Sequence, residues 1–171
     1  MDIRPAQASD ISGIFELVNL HAKLGDVLPR TQTQIAGSLS DWLVGSLNNK
    51  IVACVSLLSY NKNLAEVRSL IVSDQMQGMG WGATLLEAII AEAKHRQIPK
   101  IFALTRAEGF FERAGFSPSD RSHFPEKIWR DCDQCPVKDN CDEIAVELQL
   151  EKMSRIYQTP EQSDTFILHR K

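Results

Sequence analysis

The 171-residue chain is long enough for one domain with a well-buried core. Its 43% hydrophobic and 24% charged residues are typical of a folded protein and exclude a disordered chain. A formal net charge of −3 gives no electrostatic reason to expect a nucleic-acid partner. The N-terminus lacks the apolar core of a secretory signal, and no apolar run approaches the roughly 20 residues that span a bilayer. We therefore expect a cytoplasmic protein that binds neither nucleic acid nor membrane.

Two helices are predicted to follow a first strand in the N-terminal part of the chain. The segment DIRPA predicts a strand that ends at Pro5. Ser9 or Asp10 can cap the next helix, whose apolar residues follow helical spacing as far as Leu24. Thr31 can cap a second, short amphipathic helix.

The middle of the chain is rich in strand-forming residues. Two such runs flank Asn48-Asn49, a dipeptide typical of a β-hairpin turn, and NLAEVRSLIVS predicts a further strand. A helix with one apolar face follows and runs to about Gln97. PKIFALT predicts a buried strand, and AEGFFERAGF predicts a short helix that ends at Gly115.

A long loop, 117–141, precedes a last strand, EIAVELQL, and residues 151–171 form a polar C-terminal tail outside a domain at 1–150. The order of elements is β, α, α, β-hairpin, β, α, β, α, β, β. A meander of antiparallel strands that leads into a βαβ unit predicts an α/β (α+β) fold. Its central sheet is expected to be mixed and mostly antiparallel, with helices on both faces.

Three glycines stand within five residues, in QGMGWG at 77–82, just before the long predicted helix. Glycine lets the backbone turn sharply and approach an anion, and a helix N-terminus offers unpaired N–H groups and partial positive charge. The spacing is that of neither a Walker loop nor a dinucleotide fingerprint. This stretch alone leaves both a phosphate-binding loop and a tight strand-to-helix turn open.

Gln77, Gly80 and Gly82 match the Q/R-x-x-G-x-G/A signature of the GNAT acetyltransferase superfamily, and FFERAGF at 110–116 resembles its FYEKLGF segment. The resemblance covers about residues 2–150. It implies the GNAT fold and acetyl-CoA as co-substrate, with the pyrophosphate on the glycine loop and the pantetheine arm along the preceding strand. The CoA-binding residues that it implies are Leu70, Ile71, Val72, Gln77, Gly78, Met79, Gly80, Trp81, Gly82, Ala83 and Phe111.

Acetyl transfer requires a neutral amine and a proton for the leaving thiolate. Glu66 resembles the strand-borne general base of several family members, and an apolar acyl site could raise its pKa; the alternative is a glutamate at the rim of the sheet. The family's usual general acid is a tyrosine, but Phe111 stands at that position, so the general acid is unassigned. Tyr60 is interpreted as a packing residue.

A narrower resemblance concerns the acceptor. VLPRTQTQIAGSLSDWLV and FPEKIWRDCDQCPVKDNCDEIAV resemble segments of bacterial N-acetylglutamate synthases, the second of them in the short, kinase-less members. This implies a stand-alone enzyme that acetylates the α-amine of L-glutamate in arginine biosynthesis by direct attack. Arginine binds carboxylates in bidentate fashion, and glutamate has two of them. The predicted substrate-binding residues, each of which could instead be a solvated surface residue, are Arg30, Arg68, Thr105, Arg106 and Lys127.

Other functions remain open at this stage. The same chemistry could act on glutamine, another amino acid or a polyamine, or the domain could bind acyl-CoA as a non-catalytic sensor. A carboxylate clamp beside the thioester favours the enzyme, since a sensor does not need one. Acetylation of proteins would need an open peptide groove, which the long 117–141 loop disfavours. Dimers are common in the superfamily, so a homodimer is compatible with the resemblance.

Three of the four cysteines, Cys132, Cys135 and Cys141, are clustered in the predicted loop. Their spacing suits zinc, with His123 as a fourth ligand at irregular spacing. Free thiols or a reversible disulfide are the favoured alternative, so no metal is assigned.

Overall fold

The computed structural model describes residues 2–133 and 135–150. Over these residues, seven strands form one sheet in the order β1-β2-β3-β4-β5-β7-β6. The strands are β1 (Asp2–Pro5), β2 (Trp42–Leu47), β3 (Lys50–Asn61), β4 (Leu64–Val72), β5 (Lys100–Thr105), β6 (Ser117–Ser119) and β7 (Ile144–Gln149). The helices are α1 (Ile11–Lys23), α2 (Gln32–Gly37), α3 (Trp81–His95), α4 (Glu108–Glu112) and α5 (Pro125–Lys127). The predicted order of elements and the mixed α/β fold are confirmed; the predicted tail at 151–171 lies outside the described residues.

The core has two layers, one on each face of the sheet. α3 packs on one face through Leu85, Leu86 and Ile89, all almost fully buried. α1 packs on the other face, where Ile14 and Val18 are fully buried. Burial of each such side chain stabilises the fold by about 1.5–3 kcal/mol. Packing of α3 on one face and of α1 on the other therefore holds the sheet between the helices. No helix among the described residues is both long and apolar enough to cross a bilayer.

Two predicted local signals appear in the structure as hydrogen bonds and dihedral angles. The Thr31 hydroxyl accepts from the N–H of Gln34 at 3.1 Å, and the Gln34 side chain accepts from the N–H of Thr31 at 2.9 Å. This reciprocal capping box begins α2. Asn48 and Asn49 have φ of 49° and 62°, the left-handed pair that a tight hairpin between β2 and β3 requires.

The predicted cap of the first helix is not made by Ser9 or Asp10. Asp10 precedes α1 but has no side-chain hydrogen bond to it. Its carboxylate instead accepts from the N–H of Gln7 at 2.7 Å and pairs with Arg4 at 2.7 Å. Asp10 therefore joins β1 to the 3-10 turn before the helix.

The segment 117–141 is more ordered than the loop predicted for it. It contains β6, α5 and a π-helical turn at Ile128–Cys132 that continues α5. Phe124, 1% exposed, anchors this segment, because its ring stacks on Phe102 with centroids 4.0 Å apart. This long-range contact, rather than any local periodicity, accounts for the order.

The sheet opens between β4 and β5. Among the described strands this is the parallel pair, and it extends only over 64–66 and 100–102. β4 continues to Val72, so its C-terminal half has no strand partner on that side. Free backbone groups at such an edge can bind an extended ligand.

A bulge changes the direction of side chains along β4. The register with β3 shifts between Cys54 and Ser56, and Ser69, on β4, has a φ of 52°. A bulge interrupts the alternation of side chains between the two faces of a strand. Ser69 lines the same cavity as residues 66–68, which precede the bulge.

Candidate active site

Two concave sites lie along β4. The first, which we call the arginine cavity, has a volume of about 260 Å³ and receives residues 66–69 of β4. The second, the glycine-loop groove, has a volume of about 730 Å³ and includes Val72 at the end of β4. The charged residues that line the arginine cavity are Asp26, Arg30, Glu66, Arg68, Arg106, Arg121, Lys127, Lys138 and Glu143. Basic residues outnumber acidic ones there, six to three, although the whole chain is acidic.

The glycine loop owes its shape to backbone conformation. Gly78 and Gly80 have φ of 75° and 82°, and a Cβ built on either would meet nothing within 4 Å. Glycine is required there by the left-handed conformation and not by lack of space. Gly80 directly precedes α3, a 15-residue helix whose first N–H groups have no partner within the helix. The loop therefore presents an anion-binding helix N-terminus to the groove.

Gln77 holds this loop against the end of β4. Its amide nitrogen donates to the carbonyl of Val72 at 2.9 Å and to the carboxylate of Asp74 at 3.1 Å. The side chain of the signature glutamine is thus engaged within the loop itself.

The predicted CoA-binding residues divide between the groove and other positions. Seven line the groove: Val72, Gln77, Gly78, Gly80, Trp81, Gly82 and Ala83. The prediction for Leu70 and Ile71 concerned their backbone, on the half of β4 that has no partner strand on its β5 side. Met79 is 63% exposed and does not line the groove.

The aromatic residue at the groove is Phe110 rather than Phe111, which corrects the predicted position. Phe111 is 6% exposed and packs edge-to-face on Phe116, with centroids 5.1 Å apart. Phe110 lines the groove, where its ring would lie 3.5 Å from a Cβ built on Gly82. The short helix α4 turns its first phenylalanine outwards and its second into the core.

Arg30 and Arg68 are partly buried and line the arginine cavity, where each has unused hydrogen-bonding capacity. The carbonyl of Arg30 accepts from Asn19 on α1 at 2.8 Å, which fixes the backbone before the α2 cap. The Nε atoms of both arginines are buried and have no hydrogen-bond partner among the described residues. Burial, and then the charge of Arg30, lowers the pKa of Arg68. Guanidinium groups with unpaired N–H donors have the chemistry that binds a carboxylate.

Glu66 is part of a buried ionic chain at the point where β4 and β5 diverge. One carboxylate oxygen lies 2.7 Å from the Lys127 ammonium, and the other accepts from the Tyr60 hydroxyl at 2.8 Å. Glu66 is 2% exposed and Lys127 6% exposed. Lys127 also lies 2.8 Å from Asp131, which in turn is 4.0 Å from Arg30.

The pKa values in this chain follow from burial and from the alternation of charges. Burial alone would lower the pKa of Lys127, but Glu66 and Asp131 outweigh it and raise the pKa. Burial opposes ionisation of Asp131, yet Lys127 and then Arg30 lower its pKa. Burial and the charge of Glu66 raise the pKa of Tyr60. Lys127 is therefore charged at neutral pH, and Tyr60 is not a source of phenolate.

The role of Glu66 as general base stays a prediction. Both of its oxygens are engaged, so it could accept a proton from an amine only in competition with the Lys127 ammonium and the Tyr60 hydroxyl. Lys127, predicted to bind substrate, lines the cavity, but its ammonium group already contacts two carboxylates.

The remaining predicted substrate-binding residues occupy the rim or lie outside the cavity. Arg106 lines the cavity and donates to the carbonyl of Gly25 at 2.8 Å and to Asp142, so it joins two rim loops. Thr105 does not line the cavity, and its hydroxyl accepts from the N–H of Ala107 at 2.9 Å. The structure thus brings Arg30, Arg68, Arg106 and Lys127 together and leaves Thr105 apart.

Sequence reasoning missed Arg121, which also lines the arginine cavity. Burial would lower the pKa of Arg121, but the nearby thiols of Cys141 and Cys132 raise it. Arg121 lies in a segment predicted to be a loop, and no motif there distinguishes it from a surface arginine.

All three clustered cysteines line the arginine cavity as free thiols. His123, considered as a fourth zinc ligand, lies 3.3 Å from the Ser119 hydroxyl and does not line the cavity. Among the described residues, no three His, Cys, Asp or Glu side chains are arranged to hold a metal ion.

The acetyltransferase (GNAT) family model matches residues 18–116. The chain belongs to the GNAT acetyltransferase family. The resemblance deduced from the glycine loop and from FFERAGF is confirmed.

Relatives of known sequence support the same assignment. An uncharacterised N-acetyltransferase of Chlorobaculum tepidum is 34% identical over 144 residues, which are 84% of this chain and 93% of that protein. The amino-acid acetyltransferase of Escherichia coli K12 is 30% identical over 126 residues, which are 72% of this chain. The matching region is only 28% of the length of that protein.

Two solved structures share the fold over 88% of this chain. One is the N-acetylglutamate synthase of Neisseria gonorrhoeae complexed with coenzyme A and N-acetyl-glutamate, at 25% identity and a TM-score of 0.77; the match covers 35% of that chain. The other is Rv2747 of Mycobacterium tuberculosis in complex with CoA and NLQ, at 26% identity and a TM-score of 0.76; the match covers 100% of that chain.

Proposed function

We propose that this acetyltransferase transfers the acetyl group of acetyl-CoA to the α-amine of L-glutamate. The observation that carries the proposal is the pair of partly buried arginines, Arg30 and Arg68, whose Nε atoms are buried without a partner and which line a small cavity beside the open half of β4. A buried donor without a partner costs about 1–3 kcal/mol, and a carboxylate of the substrate would remove that cost.

The donor site follows from the glycine-loop groove. Acetyl-CoA is the co-substrate of GNAT enzymes, and both structural neighbours were solved with CoA. The pyrophosphate would bind the N–H groups at the start of α3, and the pantetheine arm would lie along the half of β4 that has no partner on its β5 side. That arrangement directs the thioester towards the divergence of β4 and β5, where the arginine cavity begins.

The acceptor site follows from charge and size. A cavity of about 260 Å³ suits a small molecule, and its excess of basic residues suits an anionic one. Glutamate offers one carboxylate for Arg30 and Arg68 and a second for another cation of the same cavity, such as Arg121. The likeness to an amino-acid acetyltransferase and to an N-acetylglutamate synthase supports the same acceptor class.

In the proposed reaction, the neutral amine attacks the thioester carbonyl directly. Free N–H groups of β4 stabilise the negative charge that develops on the carbonyl oxygen. Glu66 accepts the proton of the amine, through water, as the Lys127 ammonium moves away from it. A thiol has a pKa of about 8.5, so the CoA thiolate can leave and take its proton from water. This is consistent with Phe111 at the position of the usual tyrosine acid.

The decisive experiment measures CoA release from acetyl-CoA with L-glutamate, L-glutamine, L-aspartate and spermidine. Glutamate should be preferred to glutamine by about tenfold or more in kcat/KM, because glutamine loses a charge-assisted hydrogen bond. Faster turnover of glutamine or spermidine would overturn the acceptor assignment. CoA binding without turnover of any amine would favour a sensor instead. A homodimer and a cytoplasmic location stay predictions.

A further inference from the structure

The wall of the arginine cavity contains a group of thiols that acetyl transfer does not use. Cys132, Cys135 and Cys141 are all partly exposed there, whereas the fourth cysteine, Cys54, is fully buried in the core. None of the three lines the glycine-loop groove. Any change at these thiols would therefore act on the arginine cavity, which is proposed for the acceptor, and leave the glycine-loop groove intact.

Two of these thiols stand at the ends of one tight turn. The N–H of Cys135 donates to the carbonyl of Cys132 at 3.1 Å. Such a turn keeps the Cα atoms of its first and fourth residues within about 7 Å of each other. Disulfides join cysteines whose Cα atoms are about 4.4–6.8 Å apart, so this pair can be bridged with little movement of the backbone.

The pair is directly connected to the acceptor arginines. Cys132 ends the π-helical turn and follows Asp131, whose carboxylate lies 2.8 Å from Lys127 and 4.0 Å from Arg30. Arg121 lines the same cavity as Cys132. A bridge at Cys132 would change the cavity wall near Arg121 and shift the end of the turn that carries Asp131.

We propose that Cys132 and Cys135 form a reversible disulfide by exchange with a small disulfide such as oxidised glutathione, and that this disulfide weakens acceptor binding. The effect on the acceptor rests on the proposed function; formation of the disulfide does not. The cavity thus contains a modification site whose oxidation controls one substrate and not the other.

The exchange proceeds in two balanced steps. The Cys135 thiolate, its proton lost to water, attacks the small disulfide; a mixed disulfide forms, and one glutathione thiolate leaves and takes up a proton. The Cys132 thiolate then attacks the Cys135 sulfur and releases the second glutathione thiol. Two protein thiols are oxidised, and one disulfide is reduced to two thiols. Burial raises the pKa of Cys132, so the second step should accelerate with rising pH.

The test compares the full chain after reduction and after treatment with oxidised glutathione. Free thiols are alkylated, and peptide mapping by mass spectrometry should find Cys132 linked to Cys135 in the treated sample. The acceptor KM should rise by about fivefold on oxidation, while the acetyl-CoA KM changes by less than about twofold. A thiol reductant should reverse the change.

Serine variants identify which two cysteines form the disulfide. Each variant treated with oxidised glutathione is compared with the same variant in its reduced form. Cys135→Ser should abolish the response to oxidised glutathione, whereas Cys141→Ser, the matched control, should retain it. A linkage to Cys141, an unchanged response in Cys135→Ser, or stoichiometric zinc that protects the thiols would overturn the proposal.

The two proposals fail in distinguishable ways. If the reduced chain does not acetylate glutamate, the proposed function fails. The KM of the reduced and oxidised chains is then compared for the amine that is acetylated fastest. If no amine is acetylated, the mapping alone decides whether the disulfide exists.

Discussion

The buried pair of Glu66 and Lys127 allows a quantitative prediction about stability. Their charged atoms are 2.7 Å apart, and both side chains are less than a tenth exposed. At an effective dielectric constant of about 20, two unit charges at that distance attract by about 6 kcal/mol. Much of this attraction offsets the cost of removing both charges from water, so the net value of the pair is smaller.

Removal of both partners is expected to cost less than the sum of the two single removals. Lys127→Met leaves the Glu66 and Asp131 carboxylates buried without their cation, and should destabilise the fold by about 3–5 kcal/mol. Glu66→Gln preserves shape and leaves Lys127 paired with Asp131 at 2.8 Å, so about 1–3 kcal/mol is expected. In the double variant, the effect should fall short of the sum by about 1 kcal/mol or more.

Urea denaturation of the wild type, both single variants and the double variant measures this coupling. Additivity within about 0.5 kcal/mol would refute the argument that the two groups form a coupled buried pair. The same Glu66→Gln protein separates structure from catalysis. If Glu66 accepts the amine proton, the variant should lose about 100-fold or more in kcat while its acetyl-CoA KM is unchanged. An unchanged kcat in the folded variant would leave Glu66 a purely structural role.

Three further predictions follow from the site. Arg30→Ala should raise the acceptor KM by about 10- to 100-fold through loss of a charge-assisted hydrogen bond, with the acetyl-CoA KM unchanged; an equal rise in both would mean a structural role. Gly80→Ala should cost about 1 kcal/mol in urea and weaken CoA binding, because φ is 82° there; Gly37→Ala, which meets no atom within 4 Å, is the control. Stability measured against pH should fall at both extremes. Because folding lowers the pKa of Asp131, this group stabilises the fold above its ordinary pKa of 3.8, and the stabilisation is lost as pH falls through the folded pKa. Because folding raises the pKa of Lys127, this group stabilises the fold below its ordinary pKa of 10.5, and the stabilisation is lost as pH rises through the folded pKa. Acid and alkaline unfolding identical to wild type in Asp131→Asn and Lys127→Met would contradict this.

Features that depend on neighbouring residues could be deduced from the sequence. Thr31 and Gln34 are three residues apart, and their reciprocal cap is a local structure. Asn48-Asn49 specifies a turn because asparagine tolerates the left-handed conformation. The glycine loop and the helix after it are similarly local, so the family, the fold and the position of the glycine-loop groove could be predicted.

Features that depend on contacts between distant residues could not be deduced from the sequence. Lys127 pairs with Glu66, 61 positions earlier in the chain, because Phe124 stacks on Phe102 and holds α5 against the sheet. Nothing near Lys127 indicates that contact.

The same physical reason explains the other differences. Helical position determines that Phe110 and not Phe111 faces the groove, and a rim contact to Gly25 engages Arg106. Arg121 reaches the cavity only because the 117–141 segment folds back over it. Residues close together in the chain encode the family, the order of elements and the glycine loop before α3, so these could be deduced without coordinates. Which charges are buried, which are paired and which stay unpaired depends on contacts between distant residues, and these appear only in the folded chain.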